Sequence, residues 1–215
     1  MAARQPELMR DFRSLLAVTS PRSAGAIGKP SVQMTAHATE RGEAKGARGV
    51  GAQPPREINY AAKLRTPFAV LGIRTASGAV TGIEYLPRRE RAQPPTDAIA
   101  ERTCRQIERY LADPHWRFSL PLAPAGTDFR RRVWNALAKI PVGESRTYGE
   151  LARSLHSAPR AVGGACGANP IALVIPCHRV VGSQGSLGGF MGVTDGEPIA
   201  IKRWLLTHEG YRFGA

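Results

Sequence analysis

The pattern of apolar residues is irregular up to residue 56 and becomes ordered after it. Two runs rich in Val, Ile, Phe and Tyr, at 68–75 and 80–86, are typical of β-strands. The residues between them, Ala-Ser-Gly-Ala at 76–79, form a hairpin signal. The pattern therefore predicts a β-hairpin near the start of an ordered unit.

A helix is predicted after this hairpin. Thr96 and Asp97 are residue types that cap helices, and helical periodicity continues from there to Leu111. The apolar stripe of this helix consists of Ile99, Thr103, Ile107 and Leu111. Cys104 lies beside the stripe, so we expect it to be a packed structural thiol. Together with the hairpin, this helix makes 57–124 a small α/β domain.

The region from 125 to 215 has helical periodicity. Thr127 can cap a first helix, which Pro141 and Gly143 end. Its apolar face is formed by Phe129, Val133, Leu137 and Ile140, opposite a basic face of Arg130, Arg131, Arg132 and Lys139. We therefore predict a mainly helical domain over 125–215.

Two further helices follow in close succession. Thr147 and Glu150 form a capping box for the first, and a turn at Ser157 and Pro159 leads to the second. Two short helices with a tight turn between them are the helix-turn-helix pattern. The second helix offers one arginine and then small residues, which suit close approach of its backbone to a narrow groove. Tight packing of these small residues in a core is the alternative.

Composition and charge narrow the classes of protein that fit. The chain has 215 residues, of which 42% are hydrophobic, and its formal net charge is +13. No run approaches 18 consecutive apolar residues, so we expect no membrane span. The charge favours a polyanionic partner, nucleic acid before membrane, although a solvated basic surface gives the same balance. Three cysteines do not make a disulfide framework, so we expect a reducing compartment, the cytoplasm.

Residues 1–56 differ in composition from the rest. They are rich in Ala, Gly, Ser, Arg and Pro and have no sustained period, so we expect a loosely ordered extension. An organelle transit peptide has a comparable excess of Arg and Ser, but the acidic residues in this stretch argue against one. A start codon placed too far upstream is an equal alternative.

The sharpest chemical feature is Cys177 followed by His178. A cysteine at the end of an apolar, strand-like run, with a histidine beside it, is a candidate activated thiol; a structural cysteine is the alternative. The glycine-rich stretch 182–192 suits close approach of a flat ligand to the backbone. Its spacing fits neither a dinucleotide fingerprint nor a phosphate loop, so we expect no nucleotide cofactor. Cys166 and Cys177 lack a second His–Cys set, so we expect no metal.

A long set of motifs occurs in order through this region. It consists of Thr127-Asp128-Phe129 with Val133-Trp134, Ile140-Pro141-Val142-Gly143, Thr147-Tyr148-Gly149, Arg160-Ala161-Val162-Gly163, Asn169-Pro170, Ile175-Pro176-Cys177-His178-Arg179-Val180 and His208-Glu209-Gly210. The set resembles the O6-alkylguanine-DNA alkyltransferase (methylated-DNA–protein-cysteine methyltransferase) family. The resemblance is close over about 125–212, looser over 57–124, and leaves 1–56 outside. It implies a ribonuclease-H-like α/β N-terminal domain and a winged-helix-like C-terminal domain.

The resemblance implies DNA repair by direct reversal. An alkyl group on O6 of guanine, with O4-methylthymine as a second candidate substrate, would pass irreversibly to Cys177 in a single turnover without a cofactor. His178 would act as the base through a water, and Glu209 would orient the imidazole. Asn169 would brace the active-site turn. Tyr148 would donate a proton toward the departing guanine.

The resemblance also implies how the substrate is held. The carbonyls of Cys177 and Val180 would accept the exocyclic amine of guanine, and Lys202 would lie near O6. Arg160 would enter the duplex and occupy the space of the flipped nucleotide. Further implied pocket residues are Gly188, Phe190 and Met191, and further DNA-facing residues are Ala161, Gly163 and Gly164. The partner would be double-stranded DNA, bound from the minor groove by a monomer that has no membrane contact.

Three departures from the family pattern stand out. The stretch from Tyr148 to Arg160 is about two residues shorter than usual, which bears on the docking angle. About five extra residues lie between Phe190 and Lys202, and Phe190 and Met191 stand where some members have tyrosine and serine. The second and third departures bear on the range of alkyl groups. No cysteine precedes Cys104, so we do not expect the zinc domain of the regulatory members.

Two rival functions belong to other classes. A non-catalytic protein that binds and flags alkylated DNA fits the helix-turn-helix and the charge, but a cysteine at 177 argues against it. A cysteine hydrolase would use Cys177 with His178 or His208, and it leaves Arg160 and the small-residue helix without a role.

Overall fold

A computed structural model of the protein describes residues 59–213. The extension predicted for 1–56 lies outside the described residues. None of the helices within 59–213 combines the length and the apolar character that crossing a membrane requires.

A three-stranded antiparallel sheet opens the described chain. Its strands, in spatial order, are β1 (Ala62–Arg65), β2 (Val70–Ala76) and β3 (Ala79–Leu86). The predicted hairpin is confirmed as β2 and β3, joined at Ser77 and Gly78, whose φ angles of 49° and 74° suit a two-residue hairpin turn. β1 was not predicted, because its four residues, Ala-Lys-Leu-Arg, are too few for their alternation to stand out.

The predicted helix after the hairpin is confirmed as α1 (Ala98–Ala112). Asp97 caps it, and its side chain accepts the Ala100 amide at 2.8 Å. The buried face is rotated from the predicted stripe: Ile99 and Leu111 are only half-buried, and the buried residues are Ala100, Thr103, Cys104, Gln106, Ile107 and Tyr110. Burial raises the pKa of Cys104 to about 11, which suits a packed, unreactive thiol.

Four helices follow in the rest of the described chain. They are α2 (Asp128–Leu137), α3 (Tyr148–Ser154), α4 (Pro159–Gly167) and α5 (Glu197–His208). The predicted capping box is confirmed, with the Thr147 side chain on the Glu150 amide and the Glu150 carboxylate on the Thr147 amide at 2.6 Å. The helix-turn-helix is α3 and α4, and His156 takes a positive φ of 50° in its tight turn. α5 was not predicted.

Two predicted boundaries need correction. α2 ends at Leu137, although Ile140 beyond it is still buried. The apolar run before Cys177 forms turns rather than a strand; Cys177 begins a 3₁₀ turn, Cys177–Arg179. The strand comes afterward, as β5 (Val180–Val181), which pairs in parallel with β4 (Arg146–Thr147). Pro176 and the tight turns before it explain why this apolar segment does not form an extended strand.

One continuous cluster of buried side chains links the sheet to the C-terminal helices. The rings of Phe68 and Trp204 lie 4.7 Å apart between their centroids. The backbone of Ile83 in β3 donates to the Pro170 carbonyl at 2.8 Å and accepts the Ala172 amide at 3.1 Å. The segment that leads to Cys177 is therefore fixed against the edge of the sheet.

Candidate active site

Cys177 is presented by a turn that side-chain hydrogen bonds hold in place. The Asn169 amide nitrogen donates to the Ile175 carbonyl at 2.8 Å, and its oxygen accepts the Ile171 amide at 3.1 Å. The Cys177 amide donates to the same Ile175 carbonyl at 2.8 Å. Asn169 thus bridges both ends of the segment before Cys177, so the position of the thiol depends on this side chain.

The thiol of Cys177 is buried and protonated at rest. Its residue is only 8% exposed. Burial raises the pKa of Cys177, and the opposing effects of the Asn169 hydrogen bond and the Lys202 charge do not cancel the increase. Because a thiolate is the reactive form, the site needs a base that takes the proton.

Glu209 is the centre of a buried network beside this turn. Its carboxylate accepts His178 Nε2 at 3.0 Å, two guanidinium nitrogens of Arg179 at 2.8 Å each, and the Tyr110 hydroxyl at 2.9 Å. Burial raises the pKa of Glu209, but the donors from His178 and Arg179 prevail and hold that pKa well below its usual range. The carboxylate is therefore ionised and can only accept hydrogen bonds.

This arrangement fixes the tautomer of His178. Burial lowers the pKa of His178 and outweighs the raising effect of Glu209, so the imidazole is neutral. A neutral imidazole has one N–H, which must be on Nε2 to donate to Glu209. The lone pair is then on Nδ1, an atom without a hydrogen-bond partner among residues 59–213. His178 thus offers a free base nitrogen within the buried site.

A pocket of about 370 Å³ opens beside Cys177, between α4 and the loop before α5. Its volume falls within the range of small-molecule sites, about 300–1,000 Å³. Residues that line it are Tyr148, Pro159, Gly163, Cys166, Gly167, Cys177 and the six from Gly189 to Thr194. The pocket therefore brings the helix-turn-helix, the candidate nucleophile and the glycine-rich loop together.

Tyr148 forms one side of this pocket. Its hydroxyl donates to the Gly189 carbonyl at 2.9 Å, and burial raises the pKa of Tyr148 above its ordinary value. Gly188 passes close to its ring: a Cβ at this position would lie 3.0 Å from Cε2 of Tyr148, and φ is +65°. Glycine is therefore required at 188 for the loop to approach the tyrosine.

Lys202 is fully buried and bonded to backbone. Its ammonium donates to the carbonyls of Val180, Leu187 and Gly189, the last at 3.0 Å. Burial lowers its pKa to about 8. These three hydrogen bonds tie α5 to β5 and to the middle of the glycine-rich stretch, so the ammonium supports the loop that lines the pocket.

Comparisons with known proteins agree on one family. A family model described as "6-O-methylguanine DNA methyltransferase, DNA binding domain" matches residues 128–211. The methylated-DNA–protein-cysteine methyltransferase of Methanosarcina barkeri is 44% identical over 134 residues, 59% of this chain and 82% of that relative. The one from Methanosarcina acetivorans is 49% identical over 108 residues, 49% of this chain and 66% of that relative.

A solved structure shows the same relationship. The Mycobacterium tuberculosis OGT, crystallised in complex with DNA, is 37% identical with a TM-score of 0.59, over 68% of this chain and 90% of that chain. The chain belongs to the methylated-DNA–protein-cysteine methyltransferase family. The range that the family model matches, residues 128–211, includes every site residue that the sequence indicates, from Tyr148 to Glu209.

In this member of the methyltransferase family, most of the candidate site residues fall into two groups in the structure. The first lies around the thiol and consists of Cys177, His178, Glu209, Val180 and Lys202, which are buried, and the partly buried Asn169. The second surrounds the pocket and its rim and consists of Tyr148, Gly163, Gly188, Phe190 and Met191. Arg160, Ala161 and Gly164 lie apart on the exposed side of α4.

Two residues of the network were not predicted. Arg179 donates twice to Glu209 and also to the Ile140 carbonyl at 2.6 Å. Tyr110 reaches Glu209 from α1, 99 residues away in sequence. Arg179 follows His178 directly within the motif, and that position was an available signal. Tyr110 had none, because its role depends on how the sheet and helices pack.

Proposed function

We propose that this protein repairs DNA by direct reversal, moving an alkyl group from O6 of guanine to Cys177 once per molecule. The observation that carries the proposal is the buried Cys177 thiol beside a pocket, next to a neutral His178 that Glu209 holds with Nδ1 free. A raised thiol pKa suits this chemistry, because the nucleophile stays protonated until a base removes its proton.

The reaction needs no cofactor. Nδ1 of His178 takes the thiol proton through a water, and the thiolate attacks the alkyl carbon in line with the C–O6 bond. The S–C bond forms as the C–O6 bond breaks, and the bonding pair leaves on guanine. The Tyr148 hydroxyl exchanges its bond to Gly189 for the base and supplies a proton to the departing guanine. His178 then returns the proton that it took to the Tyr148 oxygen through water, so that overall the thiol proton ends on guanine.

Double-stranded DNA is the partner in this proposal. The exposed Arg160, Ala161 and Gly164 of α4 would lie in the minor groove, where small side chains allow close approach. Arg160 takes the place of the flipped nucleotide, because O6 in a stacked duplex is out of reach of a buried thiol. The M. tuberculosis relative was crystallised with DNA, which supports this partner. A monomer suffices for the reaction.

The pocket would select guanine through backbone atoms. The Cys177 and Val180 carbonyls accept the exocyclic amine, beside Gly188, Phe190 and Met191. Val180 already accepts from Lys202, and a carbonyl can accept two hydrogen bonds. We assign Lys202 to holding this carbonyl and the loop in position, rather than to a direct contact with O6.

The finer fold and location belong to the same proposal. The sheet with α1 would be the ribonuclease-H-like domain over 57–124, and the helix-turn-helix with the β4–β5 pair the winged-helix-like domain over 125–215. Transfer needs a reduced Cys177, and all three cysteines are free. This supports a reducing compartment such as the cytoplasm.

Mass spectrometry after incubation with an O6-methylguanine duplex tests the function. We expect one added methyl group, located by peptide mapping on Cys177. Cys177→Ala should gain no methyl but keep most of its DNA affinity, because phosphate contacts dominate affinity. The matched variant Cys166→Ser should still be methylated. An unmodified wild-type protein that binds the duplex would indicate a lesion-flagging protein. An unmodified protein that instead hydrolyses an ester substrate would indicate a hydrolase.

A further inference from the structure

A tight hairpin stands at the mouth of the pocket, in the part of the chain that departs from the family pattern. The Phe190 amide donates to the Val193 carbonyl at 2.8 Å, and the Val193 amide donates back at 3.1 Å. Met191 and Gly192 between them have φ of 52° and 82°, as in a type I′ turn. A two-residue turn closed by both hydrogen bonds holds its side chains in fixed directions.

This hairpin, residues 190–193, packs closely on both neighbours. A Cβ on Gly189 would lie 3.1 Å from the Val193 carbonyl oxygen. A Cβ on Gly167, at the end of α4, would lie 3.9 Å from the Gly192 nitrogen. The hairpin therefore folds back on Gly189 of the glycine-rich stretch and contacts the end of α4, and it forms one wall of the pocket beside Cys177.

Two side chains of this wall are apolar and exposed, whereas Phe190 is buried. Met191 and Val193 are each 44% exposed, and within 59–213 only Leu122 joins them as a large exposed apolar residue. Both line the pocket, and Pro159 and Cys166 lie among the residues around it on α4. Single exposed apolar residues are ordinary on surfaces. Two of them on one rigid turn, beside a nucleophile, provide an apolar surface for a ligand.

We propose that the 190–193 hairpin receives the alkyl chain of the lesion, and that Val193 favours apolar alkyl groups over polar groups of equal length. The inference rests on the proposed transfer to Cys177. In that step the sulfur, the attacked carbon and O6 lie on one line. The S–C bond forms and the C–O6 pair leaves with guanine whatever the length of the chain. The remaining carbons must therefore project sideways, toward the pocket walls.

The test compares two alkyl groups with three non-hydrogen atoms each. Full-length protein is mixed with duplexes that carry O6-propylguanine or O6-(2-hydroxyethyl)guanine, and single-turnover rate constants are measured for each. Val193→Thr keeps the branched shape of the side chain and changes its polarity. Leu122→Thr is the matched control, because Leu122 is 38% exposed but lies outside this pocket.

We expect the propyl-to-hydroxyethyl rate ratio to fall about fourfold in Val193→Thr, the equivalent of one methylene contact of about 0.8 kcal/mol. Leu122→Thr should keep the wild-type ratio. An equal ratio in all three proteins, or an equal fall in the control, overturns the inference. Methyl transfer, measured in the same proteins, distinguishes a failure of the Val193 inference from a failure of the proposed function. If methyl transfer is normal, the failure concerns Val193 alone; if no group is transferred, the proposed function fails as well.

Discussion

At the scale of single residues, the site depends on how burial acts on opposite charges. Burial lowers the pKa of His178 but raises that of Glu209, so by itself it would leave both neutral. The donors of His178 and Arg179 change the outcome, because together they compensate the Glu209 carboxylate. An ionised Glu209 then orients a neutral His178. In the proposed transfer, Arg179 and Glu209 thus prepare the base that acts on Cys177.

These pKa shifts predict a stability that falls in acid. The unfolded chain takes up a proton on His178 near its ordinary pKa of about 6.5, and on Glu209 near about 4.3, while the folded protein resists both. The unfolded state then binds more protons, so the free energy of unfolding falls as pH falls. Melting temperature should therefore decline below about pH 6.5 and more steeply below about 4.3.

Two histidine variants isolate this effect. His178→Asn should flatten the decline of melting temperature between about pH 6.5 and 5, where an ordinary histidine titrates. His115→Gln removes an exposed histidine outside the network and should leave the decline unchanged. Identical slopes in both variants would contradict the assignment of a neutral, buried His178.

At the scale of elements, two helices carry contacts that bear on function. In the proposed function α4 contacts DNA, and α1 is hydrogen-bonded to the active site through Tyr110. Arg160 is exposed at the N-terminal end of α4, directly after Pro159, which lines the pocket. Tyr110 joins α1 to Glu209, just beyond the end of α5. The first contact concerns substrate entry, and the second concerns rigidity of the network.

Arg160→Ala should slow repair of O6-methylguanine in duplex DNA by at least tenfold more than reaction with free O6-benzylguanine. The free base needs no flipping, so it does not need the arginine in the duplex. Single-turnover rates on the two substrates check this. Equal losses would show that Arg160 serves the pocket or the fold instead.

Tyr110→Phe should lower the free energy of unfolding by about 1.5–3 kcal/mol, the range for a hydrogen bond to a charged group. The change removes only the hydroxyl that binds Glu209. Tyr211→Phe, outside the Glu209 network, is the control and should change little. Denaturant unfolding measures both. A loss no greater than that of Tyr211→Phe would mean that Glu209 is satisfied by His178 and Arg179 alone.

Elements with local signals could be predicted from the sequence. The Thr147–Glu150 capping box and the Ser77-Gly78 turn are set by residues within a few positions of each other. β1 pairs with the neighbouring β2 but has only four residues, too few for a clear pattern. The two-residue β5 has no local signal, because pairing with the distant β4 creates it. The motifs placed Cys177 and Glu209 in one site through resemblance, whereas the bond from Tyr110 spans 99 residues and needed the structure.

At the scale of the whole molecule, the sheet and the helical region share one core. The cluster of buried residues runs from Ala62 in β1 to Leu205 in α5. Ile83 in β3 bonds on both sides to the segment that holds Cys177. A change in packing at the Cys177 thiol should therefore affect the stability of both the sheet and the helical region.

Alkylated protein should melt at a lower temperature than unmodified protein and be cleaved more easily by proteases. The resting thiol is neutral, so the cause is crowding by the added group beside α4, not loss of charge. Overpacking costs about 1–3 kcal/mol, which corresponds to a decrease of roughly 2–12 °C in a chain of this size. Thermal melts of the two forms check this, and equal temperatures would reject the coupling between alkylation and stability.

The most direct test of the central claim is a titration of product against protein. The S-alkyl bond formed on Cys177 is a thioether, which neither water nor thiol exchange reverses. With O6-methylguanine duplex in large excess, repaired guanine should therefore rise and stop at one equivalent of active protein, with Cys177 fully methylated. A yield that continues past one equivalent, or a methyl group found on Cys104 or Cys166, would contradict single-turnover transfer to Cys177.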